Sequence, residues 1–194
     1  GLSLDKLKHH PQASMDLGSL KQRMPVIVRT PGQRINVMHE LFAGDLPRLK
    51  QRFDELTAEQ AKADGQQMLL IGRRHVRDMN SWLHNLKPYV RGKNRCTIKV
   101  NPLDAERIGL VEGGTAKVVT HVGEANVPVE VSPEMMEGVV SIPHGFGHIY
   151  GDSQQSLAES ALPGISCNDL IDESLDVASS TCVVNGVPVQ VYAH

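Results

Sequence analysis

Residues 97–142 read TIKVNPLDAERIGLVEGGTAKVVTHVGEANVPVEVSPEMMEGVVSI, and the rhythm of this stretch decides the fold. Thr97-Ile98-Lys99-Val100 alternates as a strand. Asn101 is placed to cap a helix, with Pro102 at its first position and Asp104 in its first turn, where a carboxylate suits the helix dipole. That helix, expected over Pro102–Ile108, ends at Gly109, and Glu112-Gly113-Gly114 makes a turn. Ala116–Val122 and Ala125–Val131 then form a hairpin about Val122-Gly123-Glu124. In its second arm Val127, Val129 and Val131 alternate with Pro128 and Glu130, and the proline implies an edge position or a bulge. Ser132-Pro133-Glu134 starts another short turn of helix, and Gly138 returns the chain to a strand at Val139-Val140-Ser141-Ile142. Strand, short helix and hairpin in such close sequence favour a small closed barrel over a doubly wound sheet. The fold class expected is mainly β with short helices (α+β).

Upstream lies Leu69–Asn85, LLIGRRHVRDMNSWLHN, where charge and chemistry concentrate. Met68-Leu69-Leu70-Ile71 is a short apolar run of the kind that forms a buried strand. It stops at Gly72, which permits unusual backbone angles and close approach of a ligand. Arg73-Arg74-His75-Val76-Arg77 then sets three guanidiniums and an imidazole in five positions. Asp78 reads as an N-cap, with Met79, Trp82, Leu83 and Leu86 on one face of a short helix ended by Pro88. Strand, glycine, basic loop and helix start together can hold a phosphate, since forked cations and open backbone amides converge there. A solvated basic loop is the plainer alternative.

The 194 residues suffice for one good core or two small ones. Hydrophobic residues make up 40% and charged residues 22%, which is ordinary for a globular chain. The net charge of −2 conceals an asymmetry. From Gly72 to Lys99 there are eight Lys/Arg against one acid, whereas from Val100 onward there are two against thirteen. Such a split argues for a localised anionic ligand rather than a nucleic-acid surface. No apolar run approaches the roughly 20 residues needed to span a bilayer, and GLSLDKLKHHPQ at the start lacks the apolar core of a signal peptide. Cys96, Cys167 and Cys182 are odd in number and widely spaced, so they read as reduced and structural, and the expected location is cytoplasmic.

Residues 1–66 read as an arm rather than a domain. Val26-Ile27-Val28 is a short strand candidate closed by the turn Thr30-Pro31-Gly32-Gln33. After Asp45 a helix is expected over 46–63, with Leu46, Leu49, Phe53, Leu56 and Ala61 on one face and Gly65 as its stop. His9-His10 is a weak metal pair, because adjacent histidines point in different directions.

Pro143-His144-Gly145-Phe146-Gly147-His148 is the second notable loop. Two histidines four apart invite a zinc reading, but the two intervening glycines oppose the helix that would align them, and no metal site is expected. Alternating glycines point instead to close backbone approach to a ligand, or to a tight barrel corner. In Ser166-Cys167-Asn168-Asp169 the amide and carboxylate are suited to reading a purine edge, or simply to capping a turn. Thr181–Val191 reads as a hairpin on the Asn185-Gly186 turn.

Taken together, GRRHVRDMNSWLHN, IKVNPLDAERIGLVEGGTAKVVT, GVVSIPHGFGH, CNDLID and NGVPVQV resemble, in consistent order, the C-terminal domain of molybdopterin oxidoreductases of the dimethyl-sulfoxide-reductase and formate-dehydrogenase type. MDLGSL and GQRINVMHELFAGDLPRL resemble the stretch that precedes it. The resemblance implies a double-psi β-barrel over 67–194, preceded by an arm over 1–66 from the preceding part of a parent enzyme. It implies binding of molybdopterin guanine dinucleotide, carrying molybdenum or tungsten. By the same resemblance Gly72, Arg73, Arg74 and His75 meet phosphates or pterin. Asn80, Ser81 and Asn168 supply hydrogen bonds, and His144, Gly145 and Gly147 line the pterin edge. Fe–S cluster cysteines and the metal ligand belong to domains outside this sequence. The chain is therefore expected to bind part of the cofactor, to be inactive alone, and to have the remaining domains of the parent as partners. Its apolar arm residues favour self-association. A stand-alone barrel acting as a protein-interaction module is the alternative, because fold does not fix function. The discriminating observation is whether Arg73, Arg74 and His75 converge with Asn168 and the His144 loop in one concave site. A hydrolase reading lacks a convincing nucleophile with its base, Ser81 beside His84 being the one pair to weigh.

Overall fold

Period-two alternation builds the core. β1 (Gln67–Arg73) buries Met68 and Leu70, and β2 (Ile98–Val100) buries Ile98 and Val100. β3 (Thr115–Val119) buries Ala116 and Val118, and β4 (Glu124–Val131) buries Val127 and Val129. β5 (Val139–Pro143) buries Val140 and Ile142, and β6 (Val187–Ala193) buries Val187, Val189 and Val191. Each such side chain contributes roughly 1.5–3 kcal/mol on leaving water, so the inner face is a larger source of stability than any polar contact on the wall. The computed structural model describes residues 2–10, 12, 14–62, 66–150 and 154–194, apart from the side chains of 59–62. These form two compact units, Gly1–Ala43 and Gly44–His194.

The strands close into a barrel in the order β1-β5-β2-β4-β3-β6. β1 runs parallel to β5, with Leu70 opposite Val140, and β2 runs parallel to β4, with Val100 opposite Val131. The other pairings are antiparallel. Two parallel pairs interwoven in one closed barrel make this a double-psi β-barrel, as expected. Closure leaves no sheet edge, which raises the question of Pro128. It sits opposite Thr115 of β3, one residue before the β2 register begins at Val129, so its missing N–H costs no ladder bond.

The helix α3 (Pro102–Ile108) forms as its sequence dictates. Asn101 accepts a hydrogen bond from the Leu103 N–H, and Gly109 ends the helix at φ +76°. Asp104 is completely buried, pairs with Arg107 and accepts from the Gly138 N–H at 2.7 Å, tying α3 to the entry of β5. Because β1 and β5 are parallel, the segments that follow them, 74–96 and 144–166, emerge on the same rim. That rim carries a small second core of Val90, Cys96, Phe146 and Leu162.

Several local expectations are overturned. β1 does not stop at Gly72 but runs to Arg73. No helix follows Asp78. Residues 76–80 and 81–89 form successive turns, with Met79 and Asn80 at φ +46° and +60°. The Asp78 carboxylate is drawn inward to Arg95 instead of capping, and Trp82 is left 77% exposed. Residues 133–134 form a turn rather than helix, while Gly138 takes φ +73° before β5. The expected hairpin at 181–191 is not made. Residues 183–185 lie outside any strand, and Gly186 donates to the Leu70 carbonyl at 2.9 Å, so the Asn-Gly turn docks on β1.

In the unit Gly1–Ala43, α1 (Leu4–Lys8) is capped by Ser3, and Val26–Val28 lies in a turn after a cis Met24–Pro25 bond rather than in a strand. The Thr30–Gln33 turn is present, with the Gln33 N–H on the Thr30 carbonyl at 2.9 Å. The long helix α2 (Glu40–Lys62) begins six residues before the expected start at 46. Leu46, Leu49 and Phe53 are exposed on it. Ala61 as part of its face and Gly65 as its stop lie outside the described residues. Among the described residues no helix is long and apolar enough to cross a membrane.

Candidate functional site

The rim loops enclose a cavity of about 630 Å³ above the ends of β1 and β5. That volume lies within the range of small-molecule sites. Leu70, Ile71 and Ile142 form its apolar floor, and its walls come from the 144–148 loop, Ser166–Asn168 and Asn185. Of the residues singled out in the sequence, Gly72, Arg74, Ser81, His144, Gly145, Gly147 and Asn168 line this cavity. Arg73, His75 and Asn80 do not.

Arg73 and Arg74 show how one register position separates neighbours. Arg73 turns away from the cavity and is enclosed by its own protein: it donates to the Ser141 carbonyl, to the Arg95 carbonyl at 3.1 Å and to Thr97 Oγ1 at 2.7 Å. Glu130 lies 3.9 Å away, and burial lowers the Arg73 pKa. Glu130 is drawn upward by burial, but the Thr97 hydroxyl together with Lys99 and Arg73 leaves it below the usual carboxylate range. Arg74 is exposed, and among the described residues nothing pairs with its guanidinium. It borders both the main cavity and a neighbouring one of about 530 Å³ that also holds Arg73 and His75.

Asn80 acts on the wall from behind. Its Oδ1 accepts from His144 Nε2 at 2.8 Å, and its carbonyl packs against Gly145. A Cβ on Gly145, at φ +88°, would lie 2.1 Å from that carbonyl oxygen, and one on Gly147 would meet Ser166 Cβ at 3.2 Å. The alternating glycines therefore serve a close approach of backbone to backbone, which shapes the cavity. At Gly72 a Cβ would make only ordinary contact, 3.5 Å from Asn185 Oδ1. Asn168, exposed in a short 3-10 turn over Cys167–Leu170, is held by its N–H on Ser166 Oγ at 3.3 Å.

Beneath this wall runs a buried polar chain. Arg95 donates to Asp78 Oδ1 from Nε at 2.9 Å and from Nη2 at 2.6 Å. His84 Nε2 lies 3.1 Å from the same oxygen, poorly aligned for a full hydrogen bond, so this contact is chiefly electrostatic. His84 Nδ1 meets His148 Nε2 at 2.8 Å, and the Phe146 ring covers His84 at 4.5 Å between centroids. Burial pushes both imidazoles below the ordinary histidine range; at His84 the Asp78 carboxylate opposes it in part, and at His148 the neighbouring His84 adds to it. Burial also pushes the Cys96 thiol up to about 11 and raises that of Cys167, so both are protonated at neutral pH. Among the described residues no group of three or more His, Cys, Asp or Glu is placed to hold a metal ion.

Sequence reading missed Asn185, whose Oδ1 accepts from the Gly72 N–H at 2.8 Å across 113 residues. It also missed the pairing of Asp78, His84 and Arg95. The Asn-Gly dipeptide was visible, but nothing local shows where its side chain lands. His148 was visible only as half of a zinc pair, which the structure dissolves: His144 bonds Asn80 and His148 bonds His84.

The site is thus a rim cavity on a closed double-psi barrel, with an apolar floor, exposed amides and a guanidinium, that of Arg74, which nothing among the described residues pairs. Residues 68–188 match the model of the molydopterin dinucleotide binding domain, and the chain belongs to that family. A tetrathionate reductase subunit of Salmonella typhimurium is 30% identical over 126 residues, 56% of this chain and 12% of that protein. The Archaeoglobus fulgidus protein of the same name is 35% identical over 80 residues, 41% of this chain and 7% of that one. The chain thus spans a small part of these relatives' length. Among solved structures, acetylene hydratase from Pelobacter acetylenicus aligns with a TM-score of 0.47 and 17% identity, over 66% of this chain and 18% of that one.

Proposed function

We propose that this chain holds a molybdopterin guanine dinucleotide in the rim cavity as the cofactor-binding domain of a molybdenum or tungsten oxidoreductase, and that it does not turn over alone. The observation that carries this reading is the convergence of Arg74, Asn168 and the His144–Gly147 loop on one cavity, within the segment matched to the family. The donor set fits the group. Arg74 is a fork suited to a phosphate, Asn168 and Ser81 offer hydrogen bonds to heterocycle edges, and the Leu70–Ile142 floor suits a flat ring. The bound cofactor would supply the redox chemistry, while these residues orient it and exclude water.

As the parent reaction, reduction of an oxidised sulfur compound is favoured over formate oxidation, since the similar proteins are tetrathionate reductases. Arg73 and His75 are reassigned in this reading: Arg73 braces the wall, and His75 belongs to the neighbouring cavity. The other domains of the parent are the proposed partners.

A thermal-shift titration with guanosine diphosphate, against adenosine diphosphate and inorganic phosphate, tests the site, because a ligand that binds only the folded chain raises its melting temperature. The expected result is a guanine-selective shift, lost in Asn168→Ala and weakened in Arg74→Ala. Equal shifts with all three ligands, unchanged by either substitution, would contradict it.

A further inference from the structure

His148 has two ring nitrogens, and among the described residues only one of them has a partner. Nε2 is engaged with His84 Nδ1 at 2.8 Å. Nδ1 has no partner among the described residues and is not sealed off, although the residue is 93% buried and lines the main cavity. An accessible ring nitrogen on an otherwise buried side chain in a cavity wall is a group presented to whatever fills the cavity. Whether it is a donor or an acceptor depends on the residues behind it.

That polarity follows from the chain of contacts. The Asp78 carboxylate accepts two bonds from Arg95 on Oδ1 and offers its other neighbours only acceptors. The proton of neutral His84 is therefore favoured on Nε2, which faces Asp78 Oδ1 at 3.1 Å. The Gly145 carbonyl also faces this ring, but a full charge outweighs a neutral carbonyl dipole. With Nε2 protonated, His84 Nδ1 must accept. His148 Nε2–H is then the donor in the histidine pair, and His148 Nδ1 is left as a bare lone pair.

We propose that His148 Nδ1 is the cavity's hydrogen-bond acceptor for the 2-amino group of the bound heterocycle, with His84 and Asp78 as the positioning residues that set this polarity. The proposal rests on the reading of the cavity given above and adds the division of labour within it. Pterin and guanine share one hydrogen-bonding edge, a 2-amino group and ring N–H beside a 4-oxo or equivalent carbonyl, and it is the donor part of that edge that His148 recognises. A neutral acceptor is a poor seat for phosphate, so the anionic part of the ligand is left to Arg74.

Paired ligands that differ only at the 2-position test this on the 194-residue chain: guanosine against inosine diphosphate, and pterin against lumazine. Near neutral pH the amino-bearing member should bind about threefold to tenfold tighter, the value of one neutral hydrogen bond. The preference should vanish in His148→Phe, persist in part in His148→Asn, and shrink as pH falls and the histidine pair takes up a proton. Response of the pterin pair alone assigns His148 to the pterin ring, and response of the nucleotide pair alone assigns it to guanine. Tight guanosine diphosphate binding with no 2-amino preference in either pair would overturn the proposal and leave the cavity reading standing. No binding of any of the four would overturn both.

Nitrogen-15 spectra of the histidine rings give a readout that needs no ligand and no loss of fold. The expected tautomer is Nε2–H for both His84 and His148, assigned through His148→Gln and His84→Gln. An Nδ1–H tautomer or an imidazolium at His148 near neutral pH would overturn the assignment.

Discussion

The barrel wall and the loop layer on its rim are held by different kinds of force. The wall is apolar and repetitive: Val100, Val118, Val127, Val140 and Val191 are each completely buried, and none depends on one particular partner. The rim is polar and singular: Asp78, Arg95, His84 and His148 are linked in series, each contact being the reason the next is possible. A core of many small contributions loses stability by increments, whereas a buried charge left without its partner costs several kcal/mol at once. The rim cavity is built on the second kind of structure, so the binding proposed there should be more fragile than the fold.

The largest effect should follow removal of the charge at the centre of the rim. Asp78→Ala strands the Arg95 guanidinium, whose side chain is only 11% exposed, and should cost about 3–5 kcal/mol. Denaturant unfolding measures this, and the native barrel signature should survive in mild conditions while ligand response is lost. Gly145→Ala comes next, at about 2–3 kcal/mol, since a Cβ at φ +88° would meet the Asn80 carbonyl. Val118→Ala in the wall should cost about 2 kcal/mol and, in contrast to the other two, leave ligand selectivity intact. If Asp78→Ala proved milder than Val118→Ala, the contrast between wall and rim would be broken.

A pH series probes the same contrast. Free histidine in the unfolded chain titrates near its ordinary value of 6.5, whereas burial lowers the pKa of His84 and His148 in the folded protein. Below that value the unfolded chain binds protons that the native state refuses. Their contribution is therefore present in full above about 6.5 and is lost as pH falls toward the folded values. The melting temperature should drop on acidification, and His148→Phe should flatten that part of the slope. The smallest effect on stability is expected for Arg74→Ala, within about 0.5 kcal/mol because it is exposed and unpaired. Its ligand affinity should nevertheless fall about tenfold, the value of a charge-assisted bond.

The same division explains what could be read in advance. The alternation of Val127, Val129 and Val131, the Asn101–Pro102 cap and the Gly109 stop are local signals, and each appears where its pattern places it. The rim defeated local reasoning because its partners are distant in the chain. Asp78 looked like a helix cap, and only its approach to Arg95, 17 residues on, explains why no helix forms. Arg73 and Arg74 are equivalent as sequence, yet the strand extends one residue beyond Gly72, and of the two only Arg74 reaches the main cavity. Asn185 could be recognised as a turn residue but not as the brace of Gly72, since barrel closure alone brings them together.

Whether the rim cavity is the ligand site is decided by the backbone amide spectrum of the labelled chain, titrated with guanosine diphosphate. Shifts are expected to concentrate at Gly72, Arg74, Gly145, Gly147, Asn168 and Asn185, with those of Val118 and Val127 in the wall unmoved. Shifts confined to the neighbouring cavity about Lys93, Thr97 and Glu130, or scattered over the basic surface without saturation, would contradict it.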